Sequence, residues 1–186
     1  MYELLALIEL SLWFGLPAWI ANATPVLLGG GPPIDGGRVL NDGHRILGDG
    51  KTIRGFLVGV LFGSLTGFAQ SLVAPYIPEV LGQFVTITTE MEIVLFMSLP
   101  IAILMSFGAL TGDMVGSFLK RRIDVKSGNP SPVMDQLGFI IMALLFASPF
   151  IQPAPIYVII LVSFTLAIHW ISNALGYLLG LKKNPW

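Results

Sequence analysis

Five apolar segments divide this chain, and each is about long enough to cross a lipid bilayer. They cover residues 4–27, 55–74, 93–111, 133–150 and 156–180. A spanning helix needs about 20 mostly apolar residues, and it must satisfy its backbone polar groups internally because the hydrocarbon contains no water. The sequence therefore predicts an all-α integral membrane protein, a bundle of five transmembrane helices.

Composition agrees with this fold class and narrows it. Charged residues make up 11% of the chain, whereas a soluble domain carries about a quarter. The chain has no cysteine, which excludes disulfides and thiolate chemistry. The first segment lacks a preceding basic region, so it is predicted to be a permanent helix and not a signal peptide. We find no internal repeat and expect a single membrane domain over residues 1–186.

The basic residues predict the orientation. All ten Lys and Arg residues lie in the linkers 28–54 and 112–132 or in the C-terminal tail. Five spans place these three pieces on one side of the membrane. The opposite side has only acidic residues near it: Glu3, Glu79, Glu90 and Glu92. The positive-inside rule then predicts an outside N-terminus and a cytoplasmic C-terminus.

The same linkers are also rich in aspartate, which a topology signal does not require. The aspartates in and next to them are Asp35, Asp42, Asp49, Asp113, Asp124 and Asp135. Carboxylates beside Lys and Arg on one membrane face indicate a site for a metal ion and an anion.

Asp113 and Asp135 are the strongest candidates for that site. Ser131 is a good N-cap for the fourth helix, which puts Asp135 one turn inside it. Since consecutive helices run antiparallel, Asp113 and Asp135 are expected at the same depth. Oxygen ligands without Cys or His suit Mg²⁺. The alternative is a solvated cluster in which Asp113 pairs with Lys120 or Arg121.

The first linker contains "ILGDGKTIRG", a glycine-rich turn before the second span. It is predicted to present Lys51, Thr52 and Arg54 at the mouth of that helix, with backbone N–H groups exposed to an anion. A flexible, solvated loop is the alternative.

Polar residues lie within the spans at the same depth. Asn22 and Thr24 precede Pro25, and this "NATP" stretch is expected to interrupt the first span beside the site. His169 and Asn173 are better explained by hydrogen bonds inside the bundle.

Glycines recur every four residues in two stripes, a spacing that lets helix backbones approach closely in lipid. The stripes are Gly55, Gly59, Gly63 and Gly67, then Gly108, Gly112 and Gly116. Packing is the expected role of the first stripe. The second lies beside Asp113, where packing and close approach of a ligand remain equal alternatives.

Residues 112–136, with "GD", "GS", "KRR", "K" and "DQL" in order, resemble the signature region of membrane-embedded CTP-dependent cytidylyltransferases such as CDP-diacylglycerol synthase. The segments "ANATPVLLGGGPPIDGG" and "ILGDGKTIRG" resemble the archaeal CDP-archaeol synthase family. That resemblance implies a Mg²⁺-dependent enzyme of phospholipid biosynthesis in the cell membrane, with its active site facing the cytoplasm. CTP and unsaturated archaetidic acid, which carries two ether-linked geranylgeranyl chains, would give CDP-archaeol and pyrophosphate.

The resemblance also implies residue roles. Asp113 and Asp135 would hold the metal and act in catalysis together with Lys126, which would bind phosphate. The implied nucleotide-binding set is Asn22, Thr24, Lys51, Thr52, Gly108, Thr111, Gly112 and Lys126. The implied set for the lipid phosphate or other phosphates is Arg38, Arg54, Lys120 and Arg121. The chain departs from the bacterial-type signature at Ser127 and Gly138, where that signature has carboxylates.

Two other functions are compatible with a charged membrane protein. A transporter or channel for an anionic lipid or metabolite would use the charged loops as gates, and an inverted repeat, which we do not find, would support it. A CDP-alcohol phosphotransferase would need Ala-Arg after its Asp-Gly, and "DGGRVL" lacks it. Nothing in the sequence predicts a nucleic-acid partner, and the oligomeric state stays open.

Overall fold

The computed structural model of the chain describes residues 1–125, 131 and 134–180. Within this part the elements are α1 (Tyr2–Leu28), α2 (Ile53–Val73), α3 (Ile77–Leu81), α4 (Thr89–Leu95), α5 (Leu99–Arg122), α6 (Met134–Ala147) and α7 (Pro155–Leu178), with a 3-10 turn between α2 and α3. Pairing between extended segments in the described part is confined to two isolated bridges in the first linker. The all-α prediction is confirmed.

Four helical stretches of the described chain are long and apolar enough to cross a membrane: α1, α2 with its continuation through α3, α5 and α7. The shorter apolar helix α6 has 14 residues. The outward face of α2 is a row of exposed leucines, among them Leu57, Leu61 and Leu65. Such an apolar outer surface suits lipid, as expected for an integral membrane protein.

Two predictions about the helices were wrong. α1 runs through Pro25 to Leu28, so "NATP" does not interrupt it, and the Thr24 hydroxyl donates a 2.6 Å hydrogen bond to the Ile20 carbonyl within the helix. The third predicted span, 93–111, is instead the helix Leu99–Arg122, preceded by the separate α4. Pro100 explains the later start, because proline favours the first turn of a helix and disfavours helical backbone before it.

The first glycine stripe packs α2 against α1 and α5. A methyl group on Gly59 would lie 2.7 Å from the Ala21 carbonyl oxygen, and one on Gly63 would lie 2.6 Å from the Pro17 carbonyl oxygen. No real side chain fits at those distances, so these helices approach as closely as they do only because the stripe is glycine. The packing role predicted for this stripe is confirmed.

The second stripe sets the register between α5 and α6. Gly108 lies against the backbone of Met142, Gly112 against that of Gly138, and Gly116 faces the Met134 carbonyl. The order reverses along the two helices, so they run antiparallel. Close packing accounts for Gly108 and Gly112, one of the two alternatives for this stripe.

This register also fixes the depth of the two predicted metal-binding aspartates. Gly112 pairs with Gly138 and Gly116 with Met134, so position 135 lies opposite position 115. That is two residues from Asp113, or about 3 Å along the helix axis. Asp113 and Asp135 therefore sit within one turn of the same depth, at the end of the bundle where the first linker lies.

Candidate functional site

Two lysine–aspartate pairs form the centre of the candidate site. Lys51 Nζ lies 2.5 Å from Asp113 Oδ2, and Lys120 Nζ lies 2.5 Å from Asp135 Oδ1. The first pair joins the linker 28–54 to α5, and the second joins α5 to α6. Residues far apart in the sequence thus meet at one end of the bundle. The alternative in which Asp113 pairs with Lys120 or Arg121 is wrong, because its partner is Lys51.

The backbone around Lys51 is fixed by the start of α2. Thr52 is the N-cap, in extended conformation, and its Oγ1 accepts a 3.0 Å hydrogen bond from the Gly55 N–H. The Lys51 carbonyl accepts a 2.8 Å bond from the Ile34 N–H. An N-cap of this kind typically contributes about 1 kcal/mol to stability, so the turn presents Lys51 from a defined position.

Asp135 is held by the first turn of α6. Its Oδ2 accepts a 2.9 Å hydrogen bond from the Ser131 N–H, while the Ser131 carbonyl accepts from the Asp135 N–H at 3.1 Å. The Ser131 carbonyl thus plays the part of an N-cap carbonyl, although its hydroxyl donates to the Met134 sulfur. The expected first helical residue, Pro132, lies outside the described residues.

Both carboxylates keep unused capacity to accept bonds. Among the described residues, Asp113 has one hydrogen-bond donor and Asp135 has two, Lys120 and the Ser131 N–H, whereas an ionised carboxylate offers about four lone pairs. Their side chains are 31% and 25% exposed. Nearby, the buried Thr111 hydroxyl has no hydrogen-bond partner among the described residues.

The carboxylate oxygens of Asp113 and Asp135 suit Mg²⁺, which usually binds one or two carboxylates together with waters and substrate phosphates. In the described part of the chain, no group of three or more His or acidic residues could hold a metal ion. Asp113 and Asp135 are the two helix-borne carboxylates of this site that could hold such an ion together with substrate phosphates.

The glycine-rich linker is ordered around its own aspartate. Asp35 accepts bonds from the Arg45 guanidinium and from the N–H groups of Gly37, Leu47 and Gly48. The Arg45 hydrogen bonds, followed by those backbone donors, hold the pKa of the Asp35 carboxyl well below its usual range despite burial. The same pairing raises the pKa of Arg45. The N–H groups of Leu47 and Gly48 thus bind a carboxylate of the linker itself, and are not the N–H groups predicted to be exposed to an anion.

Arg122, which was not predicted as a site residue, binds this linker to α5. Its guanidinium donates to Asp42 Oδ2 at 2.6 Å and to the Arg45 carbonyl at 2.5 Å, and it lies 5.0 Å above the Phe118 ring. The partners are 80 and 77 residues away in sequence. No local spacing could have revealed the contact, and only the excess of arginine beside aspartate hinted at it.

The other predicted site residues fall into three groups. Arg38 and Arg54 are exposed, and neither forms an ion pair with a described residue. Arg121 is only 7% exposed, and its Nε atom has no partner in the described part of the chain. Lys126 lies outside the described residues.

A cleft of about 380 Å³ lies between α1 and α7, at the same end of the bundle. Its walls are mostly apolar, but Asn22, His169 and Asn173 also line it. His169 and Asn173 both interact with neighbouring groups. Phe139 forms part of the wall. It follows Asp135 by four residues, so it lies on the same face of α6, one turn deeper.

The fold and this site define a class: helical membrane proteins with a lysine- and carboxylate-lined site at one end of the bundle. The family model described as "CarS-like: CDP-archaeol synthase" matches residues 2–186, and the chain belongs to that family.

Curated relatives and a solved structure agree. The CDP-archaeol synthases of Thermococcus gammatolerans and Thermococcus kodakarensis are 48% and 46% identical over 176 residues, covering 95% of this chain and 95% of each relative. A solved structure of an intramembrane enzyme for archaeal membrane lipids biosynthesis superposes with a TM-score of 0.72. It is 37% identical, and the match covers 87% of this chain and 91% of that one.

Proposed function

We propose that this protein is a CTP-dependent cytidylyltransferase that converts an unsaturated archaetidic acid and CTP to CDP-archaeol and pyrophosphate. The observation that carries the proposal is the meeting of Lys51–Asp113 and Lys120–Asp135 at one end of a membrane bundle of the CDP-archaeol synthase family. The comparisons support this enzyme and not the transporter alternative.

The reaction needs positioning and charge more than acid–base chemistry. An oxygen of the lipid phosphate attacks the α-phosphorus of CTP, and the bond from that phosphorus to the bridging oxygen breaks, releasing pyrophosphate. The lipid phosphate is already ionised, so no separate general base is required. Catalysis of this kind rests on electrostatic stabilisation of phosphoryl oxygens by cations.

The residues divide this work. Asp113 and Asp135 would hold Mg²⁺, which neutralises charge on the phosphates when bound. Lys51 and Lys120 already lie against those carboxylates, so their ammonium groups are placed to bind phosphate oxygens arriving beside them. Arg121 is buried, and its Nε has no partner among the described residues. Arg121 and Lys126 would add further positive charge.

The lipid would enter from the bilayer, with its phosphate at the two aspartates. The cleft between α1 and α7 has mostly apolar walls, and one of its wall residues, Phe139, lies one helical turn deeper than Asp135. It suits an isoprenoid chain, whose burial contributes roughly 25 cal/mol per Å² of apolar surface.

The first experiment is turnover by the purified protein. With CTP, Mg²⁺ and an ether-linked geranylgeranyl glycerol phosphate, we expect stoichiometric CDP-lipid and pyrophosphate, and slower turnover with a diacyl phosphatidate. Transport of the anionic lipid without pyrophosphate release would reject the enzyme in favour of the transporter.

We further propose five spans, with α6 as the fourth, in the cell membrane, and with the site facing the cytoplasm. The chain has no cysteine, so single-cysteine variants need no other change. Val39 and Gln83 are both exposed and lie in the two linkers predicted to face opposite sides. Val39→Cys and Gln83→Cys should react with an impermeant maleimide from opposite sides, and labelling from one side would refute the five-span topology.

A further inference from the structure

Asp35 is the most fully bonded carboxylate of the linker, although it touches neither of the site's lysine–aspartate pairs. Its side chain is 0% exposed. Arg45 binds it with two nitrogens, at 2.7 and 3.2 Å, and the N–H groups of Leu47, Gly48 and Gly37 donate at 3.0, 3.0 and 3.1 Å. Five donors on one buried carboxylate are enough to fix the path of the chain around it.

A short series of backbone bonds connects Asp35 to Lys51. The Gly48 N–H donates to Asp35 Oδ2, and the Gly48 carbonyl accepts from the Lys51 N–H at 3.2 Å. The Lys51 carbonyl accepts from the N–H of Ile34, the neighbour of Asp35, at 2.8 Å. Both backbone polar groups of Lys51 are therefore held by residues that Asp35 binds or adjoins.

Arg45 offsets the charge of the buried Asp35, which keeps Asp35 from competing for Lys51. Arg45 sits directly on Asp35 and also reaches the exposed Asp49 at 2.8 Å. Gly48 can turn at this point because its φ of 110° is open to glycine and strained for other residues. Among the described side chains, Asp113 alone pairs with the Lys51 ammonium group.

We infer that Asp35 is a positioning residue that holds Lys51 at the carboxylate of Asp113, and this inference rests on the proposed function of that site. Asp35 acts through the turn that carries Lys51 and does not itself contact substrate.

Asp35→Asn is the test, and Asp49→Asn is its matched control. The asparagine has the same shape, but one of its two terminal atoms becomes a donor that faces the donors of Arg45 or the backbone. Asp49→Asn makes the same change at the second carboxylate that Arg45 binds, but the Asp49 side chain is 83% exposed. We expect Asp35→Asn to lower kcat for CDP-lipid formation about tenfold, less than the roughly 100-fold that a full 1 Å misplacement can cost, and Asp49→Asn to stay within about twofold.

The amine reactivity of Lys51 provides a readout that does not depend on turnover. The folded protein is acylated briefly in detergent, and modification of Lys51 and Lys120 is quantified by mass spectrometry. Asp35→Asn should speed acylation of Lys51 several-fold and leave Lys120, paired with Asp135, unchanged; Asp49→Asn should change neither.

Three outcomes overturn the inference. Equal acceleration at both lysines would mean that the bundle loosens generally. Unchanged Lys51 reactivity would mean that Asp35 does not hold Lys51 in place. A wild-type kcat together with a more reactive Lys51 would mean that the position of Lys51 does not matter for turnover, so Asp35 would have no positioning role in the reaction. If the wild-type protein forms no CDP-lipid, the proposed function fails, and the lysine readout, which needs no turnover, decides separately whether Asp35 holds Lys51 in place.

Discussion

Asp35 and Asp113 are both aspartates paired with a cation of the same linker, yet their surroundings are opposite. Asp35 is fully buried and takes five hydrogen bonds inside the linker. Asp113 is 31% exposed and has one donor in the described part of the chain, the Lys51 ammonium. A saturated carboxylate cannot bind a ligand without losing existing bonds, whereas an unsaturated one can. The comparison therefore separates an aspartate that builds the fold from one that is available for chemistry.

The difference follows from how each carboxylate is reached. Asp35 is surrounded by backbone N–H groups of its own loop, which close around it as the linker folds. Asp113 projects from the interior of α5, where the backbone N–H groups are already used in intrahelical bonds, and Asp135 accepts one backbone N–H, from Ser131. Both carboxylates are paired with flexible lysine side chains, and a lysine can move from a carboxylate to an incoming phosphate because it keeps an anionic partner there.

The largest expected effect is at the unsaturated aspartates. Asparagine keeps their shape but removes the charge that would hold Mg²⁺, so Asp113→Asn and Asp135→Asn should each lower turnover by at least about 100-fold. The double variant should be little worse than either single one, since each change disables the same site. Turnover measured against Mg²⁺ concentration checks this, and normal activity at the wild-type Mg²⁺ requirement would remove that residue from the metal site.

The next largest effect is expected at Lys51, because it lies in the linker and pairs with Asp113 of the site. Lys51→Ala should lower kcat/KM by about tenfold or more through loss of a phosphate-binding charge, while the free energy of unfolding changes by less than about 1 kcal/mol. Lys51→Arg keeps the charge and should recover part of the activity. Steady-state kinetics and a thermal melt separate the effect on turnover from the effect on stability. Near wild-type kinetics for the alanine variant would mean that Lys51 is a solvated residue without a role in turnover.

Variants of the second glycine stripe test whether the register between α5 and α6, and not the linker, sets the depth of Asp113 and Asp135. A methyl on Gly112 would collide with the Gly138 carbonyl, whereas one on Gly116 would lie 3.7 Å from the Met134 carbonyl, an ordinary contact. Gly112→Ala should therefore destabilise the bundle by about 1–3 kcal/mol. Gly116→Ala should be neutral or slightly stabilising, since alanine is the better helix former. Equal unfolding midpoints for the two variants would contradict this register.

The smallest expected effect is the pH dependence of the Asp35 network. The pKa of Asp35 lies well below its usual value in the folded protein. Its contribution is therefore fully present above the ordinary carboxyl pKa of about 3.9 and is lost as pH falls through the lower, folded-state pKa. The difference between wild type and Asp35→Asn in hydrogen exchange of the Leu47 and Gly48 amides should stay constant from pH 7 to 5 and shrink only below about pH 4. A difference that vanishes by pH 5 would contradict the assigned network.

Much of the architecture could be predicted because hydropathy is a local property. Apolar length predicted the helices α1, α2 and α7 closely, and the order of helices predicted the shared depth of Asp113 and Asp135. The third span was placed wrongly because hydropathy does not register a break such as the one before Pro100, where α4 ends and α5 begins. Lys51 was predicted as a site residue, but its pairing with Asp113 was not.

The sequence by itself determined that this chain is a helical membrane protein, because apolar length and glycine spacing can be recognised within single helices. The order of those helices also determined that its charge is collected at one end. Which charges meet was decided only by the tertiary structure. Lys51 reaches Asp113, Arg122 reaches Asp42, and Asp35 closes on its own loop. Those pairings join residues up to 80 positions apart. They depend on the path of the linker, which leaves no periodic trace in the sequence, whereas the glycine stripes that set the distance between helices do.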